Sequence, residues 1–347
     1  MGRRKFDAEL GRCAFLLILL MFLVSCLMVY GWLSLMFRPS ASSLVENGGL
    51  GREELAIENG GLDGEDGECC RWIEHLELWG DAVKGGSDFR FNSPKKCCDA
   101  CKKMCDGKDG PCPCDSWVFC GDKERCGQKY GECWLKKQKD TLAPDRKDSG
   151  KEVIWTSGLF FGKEEGIVGL ETDYGVLHVK LFPDCAPFSV SYILELLATP
   201  YCPGCQFYRA ESRGSFWDSE GNHIENAPFG PPFALIQGTL ESHGTVFEKI
   251  PAEDCPTIRR GSIAWVGSGP EFFISLANHY EWKKAYTVFG SVLPEDIEIA
   301  EKIAQLPTTA DQWSNVKVSV LEKPVPLRFR RNTTSSGNLK FNAHRFK

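Results

Sequence analysis

Apolar side chains are spaced in different ways along this chain, and each spacing predicts a different element. Residues Cys13 to Phe37 form an unbroken uncharged run of 25. A helix of that length reaches ~37 Å, enough to cross a ~30 Å hydrocarbon layer with some tilt. The apolar stretch of a cleaved secretion signal is shorter, roughly 7–15 residues, so the run predicts a retained membrane anchor over residues 13–37. Between Ser40 and Gly67 the apolar spacing is lost among Gly, Ser and Glu, which predicts a flexible acidic stalk over 38–66. From Val168 onward short runs alternate. Tyr174 to Phe182 reads as the second strand of a hairpin, and Phe207, Phe233, Ile263, Phe272, Phe273, Ile274, Val288 and Phe289 sit in further β-like runs. Two helical stripes interrupt them. Ala186-Pro187 opens a helix with Val190, Ile193, Leu194 and Leu197 at i, i+3, i+4 and i+7, stopped by Pro200. Pro294 opens another, with Ile299, Ile303 and Leu306 on one face and Pro307 at its end. Many short strands with a helix near each end predict a mainly β fold, a closed antiparallel β-barrel with two capping helices.

Charge and cysteine content place these elements. The 347 residues carry 41 Lys+Arg against 47 Asp+Glu, a net charge of -6 that argues against a dedicated nucleic-acid binder. With 42% apolar and 25% charged residues, wholesale disorder is excluded. Arg3, Arg4, Lys5 and Arg12 precede the long apolar run, whereas Glu46, Glu53, Glu54, Glu58, Asp63, Glu65, Asp66 and Glu68 follow it. The positive-inside rule then leaves residues 1–12 as a cytosolic tail and everything beyond the anchor luminal. The expectation is a single-pass type II membrane protein of the secretory pathway, in Golgi or ER. The 17 cysteines suit that oxidising compartment, and Asn332-Thr333-Thr334 can accept a glycan on Asn332. Residues 326–347 hold Arg328, Arg330, Arg331, Lys340, Arg345 and Lys347 and no acid, which predicts a basic disordered tail.

Eleven cysteines fall between Cys69 and Cys133. Ser93-Pro94 starts a helix, with Ser as cap and Pro in the first turn. Cys97, Cys101 and Cys105 then share one face at i, i+4 and i+8, with Cys98 beside them. Such a helix is built to be stapled to neighbouring strands by disulfides. Zinc is the alternative, but the pairs lack clean ligand spacing. Because eleven is odd, one cysteine must stay free, pair with the other domain, or bridge to another chain. Cys97-Cys98-x-x-Cys101, Cys114-x-x-Trp117 with Cys120, and Cys133-x-Leu135-Lys136 resemble an apple/PAN module, a disulfide-rich α+β domain closed by Trp155-Thr-Ser-Gly158 and running over 67–161. The resemblance implies a protein or glycan ligand and no catalytic residues.

A second resemblance covers residues 165–325. Its carriers are Gly175-x-Leu-x-Val-x-Leu-Phe182 with Ala186-Pro187, then Cys205-Gln-Phe207-Tyr208-Arg209, Ile236-Gln237-Gly238, Glu271-Phe272-Phe273-Ile274, Glu281-Trp282 and Val288-Phe289-Gly290. In that order, together with those two helices, they resemble the cyclophilins, the peptidyl-prolyl cis-trans isomerases. Isomerising an X-Pro bond crosses a barrier of ~18–20 kcal/mol and needs neither nucleophile nor metal. It needs a rigid donor aimed at the prolyl nitrogen and an apolar seat for the ring. The resemblance implies that Arg209 is the electrostatic catalyst, that Gln237 orients it and the substrate backbone, and that Phe273 floors and Trp282 walls the proline pocket. Phe233, Tyr286 and Phe289 are further pocket candidates. The pattern departs from the family at Tyr208 and Tyr286, where His is usual, at Glu271, where Gln is usual, and in 27 residues between Arg209 and Gln237.

Three functions compete at this stage. One is a membrane-anchored luminal isomerase acting on proline-containing segments of secretory or membrane proteins, with no cofactor. Another is a proline-peptide-binding protein with little turnover. The third is a thiol-disulfide enzyme using Cys202-Pro-Gly-Cys205. Redox Cys pairs sit at a helix N-terminus, whereas here a helix ends and a strand follows, so a local structural disulfide or loop thiols are expected. The six histidines read as structural or solvated.

Overall fold

The structure is a computed structural model that describes residues 69–105, 111–199, 202–241, 247–253 and 256–331, with the isolated positions 21, 23, 25 and 28. The expected anchor, stalk and Asn332 lie outside the described residues apart from those four positions, which have helical backbone. Among the described residues no helix is long and apolar enough to cross a membrane. The described residues from 69 to 331 belong to one compact unit.

Two sheets dominate it. The first is built from β1 (Ile73–Glu74), β3 (Asp81–Lys84), β4 (Ser116–Phe119), β5 (Cys133–Lys137) and β7 (Thr156–Leu159), in the order β1-β7-β4-β5-β3, while β2 (Leu76–Leu78) pairs with β6 (Arg146–Ser149). The helix Pro94–Lys102 lies against it, and the Ser93 side chain accepts from the Lys96 N–H as the expected cap. Its buried face is sulfur, because Cys97, Cys98 and Cys101 bond Cys133, Cys70 and Cys114. Cys105 lies beyond the end of the helix and bonds Cys112, and Cys120 bonds Cys126. The odd cysteine is Cys69, which bonds Cys185 across a separation of 116 residues.

The second sheet has ten antiparallel strands: β8 (Ile167–Thr172), β9 (Gly175–Leu181), β10 (Gln206–Glu211), β11 (Leu235–Thr239), β12 (Ser262–Trp265), β13 (Glu271–Ser275), β14 (Val288–Val292), β15 (Thr308–Trp313), β16 (Val316–Pro326) and β17 (Arg328–Arg331). Their order is β15-β16-β10-β11-β13-β12-β14-β9-β8-β17. The predicted β8–β9 hairpin and both helices form, as Pro187–Ala198 and Ile297–Ile303. The hydrogen-bonded order is open-ended, from β15 to β17, where a closed ring was expected. The two flanks nevertheless meet, since β17 on β8 continues from β16 on β10 through the single buried residue Leu327. The disordered tail expected over 326–347 is corrected for residues 326–331, which are extended strand and its approach, while 332–347 lie outside the described residues. Phe329 packs on the core between outward-pointing Arg328 and Arg330, a period-2 pattern that the count of charges concealed.

The two sheets share a seam. Lys102 pairs with Asp184 at 2.6 Å, the Arg71 N–H donates to the Asp184 carbonyl at 2.8 Å, and Arg331 pairs with Asp140 at 2.6 Å. Leu142 and Phe161, which precede β8, pack into the core of the ten-stranded sheet. Between them Lys180 donates to the carbonyls of Phe161, Gly162 and Glu165, and burial lowers its pKa to about 8.

Candidate active site

Strand parity divides the ten-stranded sheet into two faces. Ile236, Phe272, Ile274, Ile263, Trp265 and Phe289 enter the main core, while Leu235, Phe273, Ala264 and Val288 form a separate cluster on the other face. Register aligns the second set. Arg209 lies opposite Gln237, Gln237 opposite Phe273, Phe273 opposite Ala264, and Ala264 opposite Val288. Five strands thus deliver one row of side chains, charged at the β10 end and apolar at the β14 end.

A bulge between Phe207 and Arg209 sets the charged end. In a regular strand Tyr208 and Arg209 would face opposite ways; the extra residue puts both on the site face. Gly238 permits the close approach of β10, because a Cβ there would stand 2.3 Å from the Gln206 carbonyl oxygen. The hydrogen bonds then run outward from Arg209 in two directions, through Gln237 and Tyr208 to Glu271 and directly to Glu211. Tyr208 Oη donates to Glu271, and Gln237 Nε2 donates to Tyr208 Oη at 2.8 Å. Arg209 Nη1 donates to Gln237 Oε1 at 2.8 Å, and Arg209 Nε donates to Glu211 Oε1 at 2.9 Å. Burial, reinforced by Glu271, pushes the Tyr208 hydroxyl well up, so it remains a neutral donor; burial also raises the Glu271 carboxyl. The two departures Tyr208 and Glu271 are therefore partners of each other.

At the apolar end Phe273 is buried, with the Trp282 ring 5.7 Å and the Tyr286 ring 5.1 Å away, both edge-on. Phe233 also packs on this cluster, and its ring lies 5.7 Å from the Arg209 guanidinium. Six of the expected site residues are therefore brought together: Arg209, Gln237, Phe273, Trp282, Phe233 and Tyr286. Phe289 is not one of them. Adjacent to Val288 on β14, it points to the other face and stacks on Trp265 at 4.4 Å. The sequence reading missed Glu211 and Trp313. An acid two places beyond an arginine looks like an ordinary exposed strand pair. Trp313, whose ring lies 5.4 Å from the Arg209 guanidinium, arrives on the β15–β16 hairpin a hundred residues later.

The segment between β10 and β11 folds against the back of the pocket wall. The Asn278 N–H donates to the Gly221 carbonyl at 2.7 Å, and the Trp217 ring meets His279 at 5.2 Å. His279 in turn stacks on Trp282, centroids 3.7 Å apart and planes 4° from parallel. Its imidazole is fully buried and bonded to Glu281 at 2.7 Å. Burial lowers its pKa despite that carboxylate. An unfolded histidine takes a proton below about pH 6.5. Because the folded imidazole resists it, the unfolded chain binds more protons in that window, and stability should fall as pH drops from 6.5 to the lowered folded value. Denaturant titrations at pH 7.5 and 5.5 should show that loss, and His279→Phe should reduce it. An unchanged slope in the variant would assign the acid sensitivity elsewhere.

Cys202 and Cys205 form a disulfide between the end of helix Pro187–Ala198 and the start of β10, the position expected of a structural bond.

Residues 167–324 match the sequence model of a family described as cyclophilin type peptidyl-prolyl cis-trans isomerase/CLD. The chain is 28% identical over 145 residues to "Peptidyl-prolyl cis-trans isomerase-like 3" of Gallus gallus, covering 40% of this chain and 83% of that protein. It is 27% identical over the same length to the protein of that name from Homo sapiens. Among solved structures it resembles a cyclophilin type peptidyl-prolyl cis-trans isomerase of Cryptosporidium parvum, at 19% identity and a TM-score of 0.33, covering 47% of this chain and 97% of that one.

Proposed function

We infer that residues 167–324, a domain of the cyclophilin type, catalyse cis-trans isomerisation of X-Pro peptide bonds. The observation that carries this reading is the row that joins Arg209 and Gln237 to the aromatic pocket of Phe273, Trp282 and Tyr286. Twisting the amide localises the lone pair on the prolyl nitrogen, and a guanidinium fixed beside the ring's seat can donate to it. Acid-base chemistry plays no part: proton transfer is not required to rotate the bond. The aromatic pocket receives the ring, and Gln237 holds the guanidinium through its carbonyl oxygen.

The wider role we propose is that of a luminal, membrane-anchored isomerase of the Golgi or ER, acting on proline-containing segments of secretory or membrane proteins. The uncharged run over 13–37, the basic residues before it and the acidic ones after it support the anchor and its orientation. Seven disulfides among the described residues suit an oxidising compartment. The cysteine-rich module, read as apple/PAN-like, would hold a protein or glycan and so raise the concentration of clients near the site.

Exchange NMR on a proline peptide tests the activity directly. Uncatalysed interconversion takes tens to hundreds of seconds, so cis-trans cross-peaks that appear on a sub-second mixing time with a few per cent of protein establish catalysis. Peptide shift changes without exchange would leave a binding module and overturn the isomerase reading.

A further inference from the structure

We propose that Glu211 is a positioning residue for Arg209, so that the guanidinium works as half of a buried ion pair and not as a free surface cation. The proposal rests on the isomerase reading of this site and adds a residue to it. Glu211 is 2% exposed, and both of its oxygens are used. Oε1 accepts from Arg209 Nε at 2.9 Å and from the Ser319 N–H at 3.4 Å, and Oε2 accepts from the Phe233 N–H at 2.6 Å. One carboxylate therefore gathers β10, the last turn of the inserted segment and β16 around the guanidinium. Parity explains how it gets there: two places beyond Arg209 on a strand, it returns to the same face. A carboxylate this deep needs a charged partner, and among the described residues Arg209 is the cation paired with it.

The rest of the guanidinium is equally held. Nη1 donates to Gln237, and the rings of Phe233 and Trp313 lie 5.7 and 5.4 Å from its centre. Nη2 has no hydrogen-bond partner among the described residues, which leaves it as the donor for substrate. Gln237 alone would let the side chain pivot about the Nη1 contact. A second bond at Nε fixes the fork in its plane and so fixes the direction in which Nη2 points. Small misplacements of a reacting group are costly, about a hundredfold for ~1 Å.

The test uses the full chain, purified under oxidising conditions, with two readouts. The Arg209 Nε–H resonance, assigned by its loss in Arg209→Lys, reports the ion pair without reference to activity. The rate and half-saturation of peptide exchange report the reaction. In the native protein that resonance should be displaced downfield and exchange slowly with water. Glu211→Gln should return it toward the ordinary arginine position and lower kcat about a hundredfold, with KM within about threefold of native. Glu211→Asp, which keeps the charge, should recover part of the loss. A native Nε–H that exchanges as fast as an exposed arginine overturns the proposal even if no variant folds. So does a folded Glu211→Gln protein whose kcat stays within about twofold of an active native protein. A native protein that does not accelerate exchange instead sinks the isomerase reading, and the positioning role falls with it.

Discussion

Replacing Arg209 with alanine should slow catalysed X-Pro exchange by about 10²–10³-fold while peptide binding persists. The reason lies in how the row divides its work. The apolar half, Phe273 with Trp282 and Tyr286, seats the ring in ground state and transition state alike, and so contributes to affinity more than to rate. The guanidinium acts differently: its target, the localised lone pair of the prolyl nitrogen, exists only in the twisted amide. Losing one preorganised donor of this kind costs about 3–4 kcal/mol of a barrier of ~18–20 kcal/mol. The measurement is the exchange rate against peptide concentration for native and Arg209→Ala proteins. A drop in kcat with little change in KM is the expected result. An unchanged kcat would remove Arg209 from the mechanism, whatever its position in the row.

Glu253→Ala should be among the most destabilising single substitutions in the ten-stranded sheet's unit, at about 3 kcal/mol, or roughly 5–10 °C in Tm. The helix Pro187–Ala198 begins at Ala186, which has no side chain to cap it. The cap comes from elsewhere. The buried Glu253 carboxylate accepts from the Phe188 N–H at 2.9 Å, the Ser189 N–H at 3.0 Å and the Ser189 hydroxyl at 2.5 Å. Its own N–H donates to Thr287 Oγ1 at 2.8 Å, which ties the cap to the strand that follows the pocket. Alanine would leave the helix donors buried and unpaired, at the end of the helix where a negative charge is most favourable. Burial raises the Glu253 carboxyl above its ordinary value. The folded state therefore binds more protons than the unfolded one between about pH 4.5 and that raised value, and this group's contribution to stability declines as pH rises through the window. Thermal melts at pH 5 and 7 should show Glu253→Gln losing less than Glu253→Ala at both. Equal melting of native and alanine proteins would mean that the helix start is satisfied by other means.

Local patterns carried much of this molecule into view. Pro187 with Val190, Ile193 and Leu194 fixes a helix because three- and four-residue spacing leaves no other face to bury. The motifs around Arg209, Gln237 and Phe273 were legible because each lies within one strand, and the row they form follows from register. Where partners are far apart in sequence, the pattern was silent. Glu253 caps a helix 64 residues earlier, Cys69 finds Cys185 116 residues later, and Trp313 reaches Arg209 from the tip of another hairpin. Phe289 was misplaced for a different reason. In the adjacent apolar pair Val288-Phe289 composition does not say which residue faces which side, and parity with Gly290 and Ser291 becomes visible only once β12 and β9 are paired to them. In sequence the arginines of β17 form a solvated pattern, because net charge outweighs the single Phe329 between them.

The bond between Cys69 and Cys185 also determines how the molecule bears load. Cys69 is the point where the chain enters the cysteine-rich module from the N-terminal side, and Cys185 sits just before the helix of the ten-stranded sheet's unit. If the chain ahead of residue 69 is pulled while the ten-stranded sheet is held, tension passes through two sulfur atoms directly into the loop after β9. Residues 70–161 lie outside that path. Reducing this one bond would route the same tension through residues 70–161, turning a mechanical bystander into the first segment to give way.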